Sequence, residues 1–130
     1  MTKHITHFWI GHFDSENLFN EFFEETYTEN DDDPISKFSS SQDEIWIDHD
    51  FLEVSYEDND KTLMEKFGNN SYAEEWMETL AMKVKDNGIS KINTLVLLWF
   101  DKEEGHIENP KTTIGKGFEL NYLGPIEFET

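Results

Sequence analysis

The sequence predicts a single mixed α+β domain in which helices pack on a sheet of three to five strands. Segments of β-forming residues lie near both ends of the chain, and segments with helical spacing of apolar residues lie between them. The 130 residues, of which 15% are aromatic, can build one core, and no linker-like stretch divides them. We therefore expect one domain over residues 1–130, with the element order β-α-β-α-α-β-β.

The first strand is predicted over residues 4–13, where β-forming side chains dominate and alternate between two faces. A helix follows, because Asp14 and Ser15 are suitable N-cap residues and the apolar spacing becomes helical. We expect this helix to continue to about Thr26. Its apolar stripe consists of Leu18, Phe19, Phe22 and Phe23, and Glu16, Glu21, Glu24 and Glu25 lie off that stripe.

The middle of the chain is predicted to contain a loop, a short helix and a strand. Residues 27–34 have no periodicity, which is typical of a loop. Pro34 then opens a short helix that fades in the run of serines after it. A strand follows within residues 45–57 and is strongest over residues 51–56. The two-residue period of a strand directs three side chains to the core together, namely Leu52, Val54 and Tyr56.

Two helices are predicted next. A short helix over residues 60–67 ends at a glycine, and a longer one spans about 72–86. Ser71 and Glu74 have the spacing of a capping box at its start, and Gly88 suits its C-cap. Its apolar ridge, which we assign to core packing rather than to a cofactor site, consists of Tyr72, Trp76, Leu80 and Val84.

The last part of the chain is predicted to form two strands. Residues 92–100 are the most apolar run, long enough for a central strand buried on both faces. A turn is expected over residues 101–105, and a further strand over residues 117–128, interrupted at Gly124 and Pro125. Because proline donates no ladder hydrogen bond, the end of this strand is expected at a sheet edge or a bulge.

Charge is the most informative feature for function. The chain has 29 acidic residues against 10 lysines, no arginine, and a formal net charge of −19. Residues 14–60 hold 17 of these acids and a single base, Lys37. A field of that sign repels nucleic acid and anionic membranes, and it accelerates the approach of basic partners. The sequence therefore favours a protein that binds a cationic partner and contacts neither nucleic acid nor membrane.

Residue types and spacings argue against several kinds of site. Without cysteine there is no disulfide, thiolate metal site or cysteine nucleophile. The five histidines lack metal-binding spacing, the serines at 39–41 lack a nucleophile-elbow pattern, and residues 115–117 lack that of a phosphate loop. We expect no enzyme activity, no cofactor and no metal. The sequence shows neither a secretory leader nor a membrane span, so a cytoplasmic location is expected.

Two acidic clusters are the candidate contacts. The run Asp31–Asp33 lacks the glycine and glutamate of a calcium loop, which leaves a partner-facing loop or a solvated loop without a specific role. Asp48 and Asp50 would share one face of a strand with His49 turned away, which argues against an acid–base or metal site. They form either a polar rim ahead of the strand or, beside Trp46, a contact for a partner's lysine or arginine.

Three stretches of the chain carry a family resemblance. Residues 7–25 read HFWIGHFDSENLFNEFFEE, residues 31–38 read DDDPISKF, and residues 48–53 read DHDFLE. Together they resemble the immunity protein 22 family of bacterial polymorphic toxin systems; residues 95–99 (LVLLW) and 122–128 (YLGPIEF) are similar less specifically. The resemblance implies that the chain neutralises a cognate toxin domain, and such toxins are commonly nucleases. It assigns no individual toxin-contacting residue.

The leading hypothesis is an immunity protein of the contact-dependent growth inhibition type that binds a basic nuclease toxin through an acidic surface. The predicted toxin-binding residues are Glu24, Glu25, Asp31, Asp32, Asp33, Asp48 and Asp50 for charge, with Trp46 as the anchor. For Trp46 the alternative is packing in the core. The alternative is an acidic nucleic-acid mimic that blocks a DNA- or RNA-binding protein. A small carboxylate enzyme is disfavoured because no acid–base pair converges, and a purely solubilising charge would predict a similarly acidic proteome.

Overall fold

A computed structural model describes residues 3–26, 36–44, 47, 49–99 and 109–129. The elements in chain order are β1 (Lys3–Phe13), α1 (Glu16–Phe23), α2 (Lys37–Ser41), a 3₁₀ turn (His49–Phe51), β2 (Leu52–Tyr56), α3 (Leu63–Phe67), α4 (Ala73–Asp86), β3 (Thr94–Trp99), β4 (Thr113–Gly115) and β5 (Phe118–Glu129). The predicted α+β class and order of elements are confirmed, and β4 is an additional short strand.

The strands form one five-stranded antiparallel sheet in the order β2-β3-β1-β5-β4. β1 is the middle strand, paired with β3 on one side and along its whole length with β5 on the other. β3 lies inside the sheet and is buried except at its last residue, Trp99, as its apolar run predicts. β2 and β4 are the outer strands of the described sheet.

Helices cover both faces of the sheet because the apolar side chains of β1 alternate between them. Phe8 and Ile10 belong to a buried cluster shared with α3 and α4. Trp9 and Phe13 belong to a cluster on the opposite face, shared with α1 and α2. We call these two faces the α4 side and the α1 side. The residues of β2 that pack on the α1 side are those predicted, namely Leu52, Val54 and Tyr56.

α1 and β2 are shorter than the sequence predicts. α1 ends at Phe23 rather than near Thr26, because Glu24 already has extended backbone (φ −63°, ψ 128°). β2 begins at Leu52, and the residues before it, His49–Phe51, form a single 3₁₀ turn. The prediction that His49 and Asp50 lie on a strand is therefore wrong.

The start of α4 also differs from the prediction. Its N-cap is Tyr72, which has left-handed backbone (φ 56°, ψ 30°) and no side-chain cap, so the capping box with Glu74 is not formed. The Ser71 N–H instead donates to the Glu53 carboxylate of β2 (3.3 Å), and Trp76 Nε1 donates to the Ser71 carbonyl (2.8 Å). Tyr72 is 48% exposed, whereas the other three residues of the predicted ridge are buried.

β5 contains the predicted irregularity. Its pairing with β1 shifts register between Phe8 and Trp9, so that Leu123 has no opposite residue on β1 and forms a bulge. Gly124 follows with a positive φ of 89°. Pro125 lies on the part of β5 that extends beyond β4, at a free edge of the described sheet. The prediction of a bulge or an edge is therefore confirmed on both counts.

Three predicted features lie outside the described residues. They are the loop over residues 27–34, the turn over residues 101–105, and the first part of the segment that starts at residue 45.

Candidate partner-binding surface

α1 presents carboxylates to solvent because its aromatic residues pack in the core. The helix begins where Ser15 Oγ accepts the Leu18 N–H (3.2 Å). Phe19 and Phe22 are buried on the α1 side, and the Phe22 ring centroid lies 4.7 Å from that of Phe118. The opposite face of the helix is exposed and carries Glu16 and Glu21, and the exposed Glu24 follows directly at the C-cap.

Two open grooves run beside the C-terminal half of α1. The groove between α1 and α2 has a volume of about 720 Å³ and is lined by Glu21, Glu24, Thr26, Ser36, Lys37 and Ser40. A second groove, of about 520 Å³, is lined by Asn17, Phe19, Asn20, Glu21, Phe23 and Glu24. Two carboxylates border both grooves, and we call them the Glu21–Glu24 ridge. Open grooves of this kind suit the side chains of a protein partner better than an enclosed small molecule.

α2 forms the far wall of the first groove. Its start is fixed by a reciprocal cap, in which the Ser39 N–H donates to Ser36 Oγ (3.0 Å) and the Ser36 N–H donates to Ser39 Oγ (3.1 Å). Phe38 is fully buried and stacks edge-on against Trp9 of β1, with centroids 5.1 Å apart. Lys37 is thereby left on the exposed face and places one positive charge in an otherwise acidic groove.

The residues after α2 are tied to the strand region near the end of the chain. Gln42 is fully buried, and its Oε1 accepts the Lys111 N–H (2.6 Å). The Lys111 carbonyl accepts a hydrogen bond from Trp9 Nε1 (3.0 Å), and its ammonium pairs with the Asp43 carboxylate. Because the fully buried Gln42 side chain is hydrogen-bonded to this strand region, the wall formed by α2 is anchored at its C-terminal end.

The acidic surface continues from α1 to the end of β2. The Phe19 and Tyr56 rings stack with centroids 5.1 Å apart. Burial raises the pKa of the Tyr56 hydroxyl, and the negative charges of Asp58 and Glu16 raise this pKa further. The hydroxyl therefore stays protonated and donates to Asp58. Glu16 at the start of α1 and Asp58 after β2 thus both raise the pKa of Tyr56, so the two carboxylates lie on one continuous surface.

The structure describes three of the predicted toxin-binding residues. Glu24 and Glu25 are exposed at the end of α1, and Glu24 borders both grooves. Asp50 is exposed in the 3₁₀ turn, where its neighbour Phe51 packs against the cluster of the α1 side. These three carboxylates therefore lie on segments packed against one face of the sheet. The other predicted residues, Asp31, Asp32, Asp33, Trp46 and Asp48, lie outside the described residues.

Two charged residues that line the grooves, Glu21 and Lys37, are absent from the predicted contacts. Glu21 lies three positions before Glu24, a spacing at which side chains share one face of a helix, so the sequence contains that signal. Lys37 is the single base within residues 14–60 and is distinguished by its charge.

No metal-binding cluster is found among the described residues. Within that part of the chain, no three histidine, aspartate or glutamate side chains gather closely enough to hold a metal ion. His12 Nε2 lies 3.8 Å from Asp14 Oδ1, and Lys91 Nζ lies 3.5 Å from the same oxygen, so these contacts are ion pairs of one carboxylate rather than a cluster of metal ligands. None of the described helices has the length and apolar character needed to cross a membrane.

Comparison with protein families decides the class of this protein. The family model described as Immunity protein 22 matches residues 6–129 of the 130-residue chain. The chain belongs to the Immunity protein 22 family. No curated protein and no solved structure matches it. The match runs from β1 to the last residue of β5, so the resemblance noted in the sequence is confirmed over nearly the whole fold.

Membership of the Immunity protein 22 family indicates an immunity protein, whose partner is a cognate toxin protein. The family also indicates an inhibitor that acts by binding rather than by catalysis. The grooves beside α1 suit that mode of action, because they are open to a macromolecular partner and lined by charged and aromatic side chains.

Proposed function

We propose that this Immunity protein 22 member neutralises a cationic nuclease toxin by binding it through the acidic surface of the α1 side, with no chemical step of its own. The observation that carries the proposal is the concentration of charge. Residues 14–60 include α1, α2 and β2, and they hold 17 acids against one base. Part of that charge, the Glu21–Glu24 ridge, stands beside two open grooves.

The charge of the partner follows from its chemistry. A nuclease must hold phosphates, so its cleft or the rim of that cleft carries lysine and arginine. An acidic surface of matching shape raises the rate of encounter, and apolar contacts at the centre slow dissociation. Speed matters because each free toxin molecule cleaves nucleic acid until it is bound. We place the encounter in the cytoplasm, where a toxin delivered by a neighbouring cell reaches nucleic acid.

The proposed contacts combine described and predicted residues. Glu24, Glu25 and Asp50 are exposed on segments of the α1 side, and Glu21 joins them through the ridge. The remaining predictions, Asp31, Asp32, Asp33, Trp46 and Asp48, belong to the same acidic stretch of the sequence.

The first experiment is a pull-down from the producing strain with this protein as bait, followed by mass spectrometry of the eluate. We expect a nuclease domain of a secreted protein whose toxicity is suppressed when this protein is co-expressed. Recovery of a polymerase, nucleoid or repair factor would favour the nucleic-acid mimic instead. Capture of a toxin without nuclease activity would reject the proposed class of partner.

The salt dependence of binding tests the role of charge. Between about 50 mM and about 500 mM salt, the association rate constant should fall about tenfold or more, while the dissociation rate changes little. Stopped-flow mixing with the captured toxin domain measures both. Equal association rates at the two salt concentrations would remove electrostatic steering from the proposal.

A further inference from the structure

Among the described residues, the sheet has two free edges, and they differ in their protection against pairing with another strand. Exposed edges are usually blunted by a bulge, a proline or charged residues. β5 has all three beyond its contact with β4: the bulge at Leu123, then Pro125, then the exposed Glu127 and Glu129. β2 is a regular five-residue strand that contains neither a proline nor a bulge.

The main-chain groups of β2 that face away from β3 can be assigned. The Glu57 N–H donates to the Asn93 carbonyl (2.7 Å), which extends the β2–β3 register by one pair beyond Tyr56 and Thr94. Inward and outward directions alternate along an antiparallel strand, so Glu57, Ser55 and Glu53 direct their main-chain groups towards β3. The residues directed outward are therefore Leu52, Val54 and Tyr56. Within the described structure, these outward groups have no main-chain or side-chain hydrogen-bond partner.

The charges around this edge select the kind of strand that it can receive. Glu53 lies within β2. The exposed residues Glu57 and Asp58 come directly after the strand, and the exposed Asp50 lies two positions before its start. Pairing of two copies through this edge would bring like charges together, which is unfavourable. A lysine- or arginine-rich strand would instead meet opposite charges.

The edge is continuous with the acidic surface of α1. Tyr56, at the end of β2, stacks on Phe19, and Phe19 also lines the second groove beside α1. A strand added to β2 would direct alternate side chains to the α1 side, towards that groove and the Glu21–Glu24 ridge. Main-chain pairing and side-chain contact would then occur in one continuous interface.

We infer that an extended, basic segment of the toxin adds to the free edge of β2 as a further strand, with its alternate side chains directed to the groove of α1. Strand addition of this kind takes its affinity from main-chain hydrogen bonds and its specificity from the pockets for alternate side chains. The inference rests on the proposed function, because the segment belongs to the toxin, and it names the element of the fold to which that segment binds.

The test uses the toxin domain captured in the pull-down and two variants at one position. Val54→Pro removes an outward N–H and leaves the hydrogen bonds to β3 intact, since proline is tolerated where the N–H of an edge strand faces solvent. Val54→Ala shortens the same side chain but keeps the N–H. We expect Val54→Pro to weaken toxin binding about tenfold or more and Val54→Ala to weaken it less than about threefold, as measured by calorimetry.

Amide hydrogen exchange of the wild-type complex, followed by NMR, is the second measurement and needs no variant to fold. The amides of Leu52, Val54 and Tyr56 should exchange at least about tenfold more slowly with the toxin bound. Toxin capture with unchanged exchange at these amides would overturn the inference and leave the proposed function standing. Failure to capture any toxin would remove both. A dimer of this protein that Val54→Pro disrupts would assign the edge to a second copy instead.

Discussion

Asn93 hydrogen-bonds to both main-chain polar groups of Phe13, the last residue of β1. The Phe13 N–H donates to Asn93 Oδ1 (3.0 Å), and Asn93 Nδ2 donates to the Phe13 carbonyl (2.9 Å). The side chain of Asn93 is buried and replaces a missing ladder partner at the point where the chain leaves the sheet for α1. The position of α1, and with it the acidic surface, therefore depends on this pair.

Replacement of Asn93 should destabilise the fold strongly. Asn93→Ala leaves a buried N–H and a buried carbonyl of Phe13 without partners, so we expect a loss of about 2–4 kcal/mol in the free energy of unfolding. Urea unfolding measures it. Asn121→Ala is the matched control, because Asn121 is half-buried and its Nδ2 donates to a single main-chain group, the Ile10 carbonyl (3.2 Å), within the described residues; about 1 kcal/mol is expected there. Equal losses would contradict the special role of Asn93.

Stability should fall at alkaline pH through Tyr122. Burial raises the pKa of Tyr122 to about 12, and its hydroxyl lies 2.7 Å from His7 Nδ1. An unfolded tyrosine ionises near pH 10, so from about pH 10 to about pH 12 the folded protein holds a proton that the unfolded chain has lost. The stability that the buried, protonated hydroxyl of Tyr122 contributes below about pH 10 is therefore lost as the pH rises from about 10 to about 12.

The variant Tyr122→Phe isolates this contribution. The variant loses the hydrogen bond to His7, so we expect its free energy of unfolding at neutral pH to be about 1 kcal/mol lower than that of the wild type. Between about pH 10 and about pH 12, however, its free energy of unfolding should decline less steeply with pH. Urea midpoints measured at several pH values give both slopes. Parallel curves for the variant and the wild type would show that Tyr122 does not carry the alkaline dependence.

Reversal of the ridge charges should slow toxin binding. The double variant Glu21→Lys and Glu24→Lys changes the net charge by +4 on the α1 side, and we expect the association rate to fall about tenfold. The control, Glu74→Lys with Glu78→Lys, makes the same change at exposed positions of α4, on the opposite side of the sheet. Stopped-flow kinetics with the captured toxin compares them. If the two double variants slow association equally, the total charge of the protein, rather than the position of the Glu21–Glu24 ridge, governs the rate of encounter.

Substitution of Gly11 should be strongly destabilising, because the main chain of the neighbouring strand β5 lies very close to its Cα. A Cβ at Gly11 would lie 1.8 Å from the Glu119 carbonyl oxygen, a main-chain atom that cannot move without breaking the β1–β5 ladder. We expect Gly11→Ala to lose about 3 kcal/mol or more, measured by thermal unfolding. Gly88→Ala is the comparison: its φ of 64° imposes about 1 kcal/mol of backbone strain, but nothing lies within 4 Å of the added methyl. A mild effect at Gly11 would mean that the two strands can separate locally.

Local features of the fold could be predicted from the sequence because their causes are local. The serine cap and phenylalanine stripe of α1 occupy neighbouring positions, and the two-residue period of β2 assigns its core-facing residues without knowledge of the partner strand. The order of the strands depends on contacts between distant segments, so it could not be predicted from local patterns of residues. β4 was not predicted, because a strand of three residues, Thr113–Gly115, is too short to show the two-residue alternation of side chains.

The start of α4 shows how a tertiary contact overrides a local pattern. Ser71 and Glu74 have capping-box spacing, but Glu53 of β2 already accepts the Ser71 N–H, and the cap position moves to Tyr72. The candidate site follows the same rule. Its acidity could be read from composition, whereas its grooves arise from the packing of α1 against α2 and could not.

The hydrogen bond between the buried Gln42 side chain and the main chain of Lys111 bears on the thermodynamics of toxin capture. A wall that is already ordered in the free protein gives up little main-chain freedom when a partner docks, so this part of the binding enthalpy is not offset by a large loss of conformational entropy. Preorganisation of that kind favours a single-step association whose observed rate rises linearly with toxin concentration, with no plateau set by a slow rearrangement of the inhibitor.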